Sequence, residues 1–218
     1  MTTGRMKTLA AMALSAVSLL AASGAQATLS YRLNNQAVYD DVAQLTWLRD
    51  ANYAQTSGYD GDGQMNWSTA MAWADGLSIG GVDDWRLPGG QMVTYGYNQT
   101  TSEMGNMFYN VLGGTDGSSI TITHSNATNY DLFQNIQSSL YWSGVESELL
   151  LAWGFGFANG FQSAGGFKSN NLFAWAVRSG DVGGNPVPAP GTLALLGAGL
   201  LGWAGVKRSR HRVGAVIG

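Results

Sequence analysis

The chain has no cysteine, which excludes thiol nucleophiles, disulfide staples and cysteine-ligated zinc. Basic residues are nearly as scarce through most of its length. Between residues 28 and 185 only Arg32, Arg49, Arg86, Lys168 and Arg178 stand against all 14 of the chain's acidic residues. Such a segment has no basic stripe to displace counterions from phosphates, so nucleic acid is not an expected partner. Histidine is down to two, with His124 alone in this segment, and there is no G-x-S-x-G elbow. A nucleophile paired with a base therefore lacks its parts. Proline is limited to four residues, and three of them crowd into positions 186–190.

Long apolar runs occur only at the two ends. Arg5 and Lys7 precede an uncharged apolar stretch from Leu9 to Ala22, and small residues follow at Ala25 and Ala27. This is the charged, greasy, small-residue order of a secretory signal, with the cut expected after Ala27 by signal peptidase. The apolar run is shorter than the ~20 residues of a spanning helix, which favours a removable leader over an anchor. At the other end Gly191–Val206 is apolar and is followed at once by Lys207, Arg208, Arg210 and Arg212. At ~1.5 Å per residue it reaches roughly 24 Å, which Trp203 and snorkelling basic side chains extend toward a bilayer core. The sequence thus predicts a transmembrane helix over 191–206 and, by the positive-inside rule, a cytoplasmic tail over 207–218.

Ahead of that segment, 183–190 reads as a linker: Gly183, Gly184, Asn185 and Pro186, then Val187-Pro188-Ala189-Pro190. Proline on both sides holds the backbone extended and non-helical, as a protease substrate requires. A Pro-x-Pro motif, a short apolar segment and an arginine-rich end in this order resemble the PEP-CTERM sorting signal. That resemblance implies processing by exosortase, a membrane-embedded protease. It departs from the usual pattern at Ala189, where the family has glutamate. The implied route is an exported, inner-membrane-anchored precursor that ends at the cell surface or outside a Gram-negative-type bacterium.

Residues 28–182 are enough for one domain with its own core. The mild net charge of −3 for the whole chain hides the acidity of this part, because six basic residues sit in the two ends. Ala37–Arg49 reads as two short strands around Asp40-Asp41. A helix is expected from Asn66 or Trp67 to about Leu77, with Ala70, Met71, Ala74 and Leu77 on one face, ended by Gly80-Gly81. A second is expected from a Thr100-x-x-Glu103 capping box through Met104, Met107, Phe108, Val111 and Leu112 to Gly113-Gly114. Residues 115–129 read as an exposed strand or loop. Leu140–Gly144, Leu149–Phe157, Phe161–Phe167 and Leu172–Arg178 read as strands joined by Gly/Asn turns, with Trp153, Phe155 and Phe157 on one core-facing side.

Asp84-Trp85-Arg86-Leu87-Pro88, following helix and Gly-Gly, is the most distinctive motif, and the expectation is structural: Asp84 and Arg86 tie a loop by charge while Trp85 fills the core. Together with Leu45–Tyr53, Tyr141–Gly144 and Ala174–Arg178, it resembles a family of exported bacterial domains related to the C-terminal domain of a collagen-like adhesin. The resemblance implies an α+β, C-type-lectin-like or formylglycine-generating-enzyme-like fold with two helices, short antiparallel strands and long loops. The cysteines that the enzymes of that fold use are missing, so that activity does not carry over.

Asp60, Asp62 and Asn66 place oxygen ligands at alternate positions of a Gly-rich loop, the way a calcium loop begins, though without the closing glutamate of an EF-hand. His124 is expected to be a solvated loop residue. Asp40 and Asp41, adjacent on a strand, point to opposite faces and make a poor acid–base couple. The function expected from these features is a non-catalytic, lectin-like surface or matrix domain that contacts exopolysaccharide or another envelope component. Two alternatives stay open at this point: a polysaccharide-acting enzyme with paired carboxylates, and a matrix protein with no defined ligand.

Overall fold

A computed structural model describes residues 27–183. Two antiparallel-rich sheets carry the architecture. The first has the order β1-β2-β3-β9, from Leu29–Arg32 (β1), Ala37–Asp40 (β2), Leu45–Leu48 (β3) and Val177–Ser179 (β9). The second has the order β4-β8-β5-β6-β7, from Gln64–Met65 (β4), Leu140–Glu148 (β5), Leu151–Gly156 (β6), Gln162–Phe167 (β7) and Leu172–Phe173 (β8). β1, β2 and β3 form a meander: Ala37 faces both Arg32 and Leu48. The last strand then returns to pair Trp47 with Val177.

The expected α+β lectin-like arrangement with two helices is corrected by this structure. Among the described residues the chain is mostly sheet, and its helices are few and short: Tyr53–Thr56 (α1), Trp67–Asp75 (α2), Glu103–Asn106 (α3) and Ala127–Tyr130 (α4). α2 matches its expected place, and a helical run over 103–111 falls within the second expected one. Asn66 caps α2, its side-chain oxygen accepting from the Thr69 N–H at 3.0 Å, and Ala70 and Ala74 are buried. The second expected helix fails at its start. Ser102, not Thr100, is the cap, with its hydroxyl accepting from Gly105 N–H. After one turn the chain widens into a π-helical turn, Met107–Val111. Only glycine fits in the first turn, since a Cβ at Gly105 would lie 1.8 Å from the Gln99 carbonyl oxygen.

No described helix is long and apolar enough to cross a membrane. The expected leader, linker, transmembrane helix at 191–206 and basic tail lie outside the described residues, apart from Ala27 and Gly183 at their edges.

One core joins the two sheets. Trp47, Trp85, Trp142 and Trp175 are fully buried with Tyr141, Phe108, Phe155 and Phe157. Trp175 lies between the sheets, its ring 5.0 Å from Trp47 and 5.6 Å from Phe157. Aromatic pairs at such spacings stabilise by ~0.5–1.5 kcal/mol each beyond area burial. Two of the buried indole N–H groups tie the core to the backbone: Trp142 Nε1 donates to the Met65 carbonyl and Trp175 Nε1 to the Leu48 carbonyl. As expected, Trp153, Phe155 and Phe157 all face the core.

Candidate functional site

Beyond Pro88 the chain continues the irregular path it has followed since α2, and the segment 89–98 carries no helix or strand. Met92 is buried and anchors it from below. Gln162 fixes it from the side. Its backbone exchanges two 2.9 Å hydrogen bonds with Gly96, and its side-chain Nε2 donates to the Thr94 carbonyl at 2.7 Å. Gly96 takes φ = +126°, a conformation that side-chain-bearing residues rarely adopt. The consequence is a short ledge held against the start of β7, with Val93, Tyr95 and Tyr97 turned to solvent.

Two of those side chains are tyrosines, Tyr95 at 71% exposure and Tyr97 at 40%. Tyr97 is buttressed edge-on by Phe161, with ring centroids 5.1 Å apart and planes at 84°. Phe161 is held in turn by its own N–H, which donates to the Asn159 side chain. Behind them Tyr109 donates its hydroxyl to the Gly160 carbonyl at 2.7 Å, and burial raises its pKa. Asn98, at φ = +58°, and Gln99, whose Nε2 donates to the Tyr97 carbonyl, add amides to the same ledge. No Lys or Arg lies in the sequence from 89 to 101 or from 156 to 163. A fixed aromatic ring beside amides, without cations, is suited to uncharged polyhydroxyl ligands.

The distinctive motif is a joint between sheets. Trp85 fills the core with its Nε1 bonded to the Val82 carbonyl. Arg86 exchanges two 2.8 Å backbone bonds with Val177 of β9, while the Pro88 carbonyl accepts from Gly144 of β5. Leu87 and Pro88 are buried between those two attachments. Arg86 and Asp84 both act through charge, but with partners other than each other. The guanidinium forms a two-pronged pair with Glu103, both contacts at 2.7 Å, which raises the arginine pKa. Asp84 is exposed, at φ = +61°, and faces Arg178 at 3.9 Å. The partner Glu103 was masked in the sequence by its fit to a capping box. Its Oε2 takes the Gly89 N–H instead.

The remaining expected residues disperse. Asp60 and Asp62 lie in one loop, but Asn66 gives its oxygen to Thr69 and Ser68 as the cap of α2. Asp40 is buried at the end of β2, and Asp41 is exposed in the turn that follows rather than on the strand. His124 is half-buried rather than solvated: its ring stacks on Tyr130 at 3.9 Å and its Nδ1 meets the Ile120 carbonyl at 2.7 Å. Ala25 and Val187–Pro190 lie outside the described residues. An open depression of about 670 Å³ borders the β1 edge near Tyr31, Asn34, Asn35 and Gly183, where Arg32 is already paired with Asp181. The ledge itself was missed from sequence. Its one signal is the period-two spacing of Val93, Tyr95 and Tyr97.

Residues 36–178 match the Lcl C-terminal domain, which is more than half of the chain, and the chain belongs to that family. Residues 186–209 match the PEP-CTERM protein-sorting motif. The protein is therefore an exported one that exosortase processes. No curated protein and no solved structure matches the chain.

Proposed function

We propose that the domain is a non-catalytic binding module for neutral extracellular polysaccharide, delivered to the cell surface or surrounding matrix by the sorting route. The observation that carries this reading is the ledge: two exposed tyrosine rings on a backbone fixed by Gly96 and Gln162, with one ring buttressed by Phe161. Sugar rings present an apolar C–H face that stacks on such a surface, and amides nearby bond the hydroxyls. Because the Tyr97 ring is held before the ligand arrives, little side-chain entropy is lost there on binding. The acidity of the domain favours uncharged glycans over sulfated or uronic ones, since like charges repel.

Affinity electrophoresis of the protein in gels containing the producer's own exopolysaccharide tests this. Tyr95→Ala and Tyr97→Ala are expected to weaken retention about fivefold to tenfold each, consistent with losing one stacked ring at ~1 kcal/mol or slightly more. Tyr59→Ala, an exposed tyrosine elsewhere, serves as control. Equal retention of all three variants and the native chain removes the ledge from the mechanism, and no retention of the native chain removes the reading.

A further inference from the structure

Asn52 is buried, at 3% exposure, and its Oδ1 has no hydrogen-bond partner among the described residues. A buried acceptor left unmatched costs ~1–3 kcal/mol, so it requires a reason. Rotating the amide does not supply one. Asn52 Nδ2 donates to Gln55 Oε1 at 2.7 Å, and Gln55 is itself oriented by Nε2 donating to the Gly61 carbonyl. That relay fixes Oδ1 toward the Asp60–Gly63 loop. Contact with the loop is close: a Cβ at Gly63 would stand 1.9 Å from this oxygen, and Gly63 takes φ = +81°.

On the loop, Asp60 Oδ1 accepts from the N–H groups of Asp62 and Gly63 at 3.0 and 2.8 Å. Asp62 Oδ1 accepts from Gln64 N–H. The Asp62 side chain lies within hydrogen-bond reach of the Asp60 carboxyl. Neither carboxyl has a salt bridge to any Lys or Arg among the described residues.

We propose that the Asp60–Gly63 loop, closed over Asn52, binds a divalent cation of the calcium type, with the carboxylates of Asp60 and Asp62 and the Asn52 Oδ1 as its protein ligands. One ion then satisfies the orphaned amide oxygen and takes up two carboxyl groups that have no basic partner. An all-oxygen set of mixed charge suits a hard cation, and calcium tolerates irregular coordination completed by water where magnesium demands an octahedron. Among the described residues no three acidic, histidine or cysteine side chains cluster. The site therefore depends on Asn52, and two charged ligands place its affinity in the range of extracellular calcium modules, roughly 10⁻⁴–10⁻³ M. Its residues are separate from the tyrosine ledge.

Terbium luminescence of the full-length chain, sensitised by Tyr59 next to Asp60, reports occupancy directly. The expected result is a saturable signal displaced by calcium at roughly 0.1–1 mM, weakened about tenfold or more in Asp60→Asn and in Asp62→Asn, and unchanged in Asp116→Asn. Asparagine at 60 keeps an acceptor for the turn, so the loop still folds. Tyr95→Ala also leaves the signal unchanged, which separates this site from polysaccharide binding. The proposal is overturned if the native chain gives no saturable signal, or if Asp60→Asn binds calcium as tightly as the native chain.

Discussion

Asp40 ends β2 with a buried side chain whose Oδ1 accepts from Val42 and Ala43 N–H, while its Oδ2 has no partner. Desolvation dominates and raises its pKa above 3.8. The folded state then holds this proton more tightly than the unfolded chain does. Its contribution to stability is therefore present at low pH and fades as pH climbs from about 3.8 through the raised folded value. Urea midpoints measured across that window are expected to show a falling component that Asp40→Asn removes. If the variant's midpoint falls with pH as steeply as the native one, Asp40 is not the group responsible. From sequence the two short strands around Asp40-Asp41 were legible, although Asp41 lies in the turn after β2 rather than on the strand. The unmatched oxygens of Asp40 and Asn52 were not, since each depends on what the rest of the fold fails to bring near.

At the scale of elements, burial by bulk was readable and helix extent was not. Met104, Met107, Phe108, Val111 and Leu112 are all buried as their spacing implied, yet the helical run over 103–111 passes from an α-turn into a π-turn and ends before Leu112. One long-range contact and one local contact fix the start of this run. Glu103 is drawn to Arg86 and Gly89, and Gly105 must pass directly beneath the Gln99 carbonyl. Propensity and packing therefore make opposite predictions for Gly105→Ala. A free helix would gain about 1 kcal/mol from alanine. Here the new Cβ meets backbone that cannot swing aside, and a loss of about 1–3 kcal/mol in chemical denaturation is expected. A stabilised variant would mean that the segment relaxes into the regular helix the sequence suggested.

Across the whole molecule, the Asp84–Pro88 motif explains why the family resemblance could be read before the fold. It attaches the four-stranded sheet through Val177 and the five-stranded sheet through Gly144 within a few residues, so local sequence there reports on global assembly. The sheet-dominated architecture was hidden because its pairings, such as Trp47 with Val177, join residues from opposite ends of the domain. The same distance separates maturation from folding, except at one point. Thr28 N–H donates to Asp41 Oδ1 at 2.7 Å. A leader cut after Ala27 converts that amide into an ammonium beside a carboxylate, replacing a neutral donor with a charged one just ahead of β1. Exposed pairs of this kind contribute about 0.2–1 kcal/mol, weakened by salt. Asp41→Asn is therefore expected to lower the thermal midpoint of the mature chain by about 1–3 °C at low ionic strength, with a smaller drop in the uncut precursor. Equal drops in both forms would place the cut elsewhere than after Ala27 or leave the new terminus unpaired.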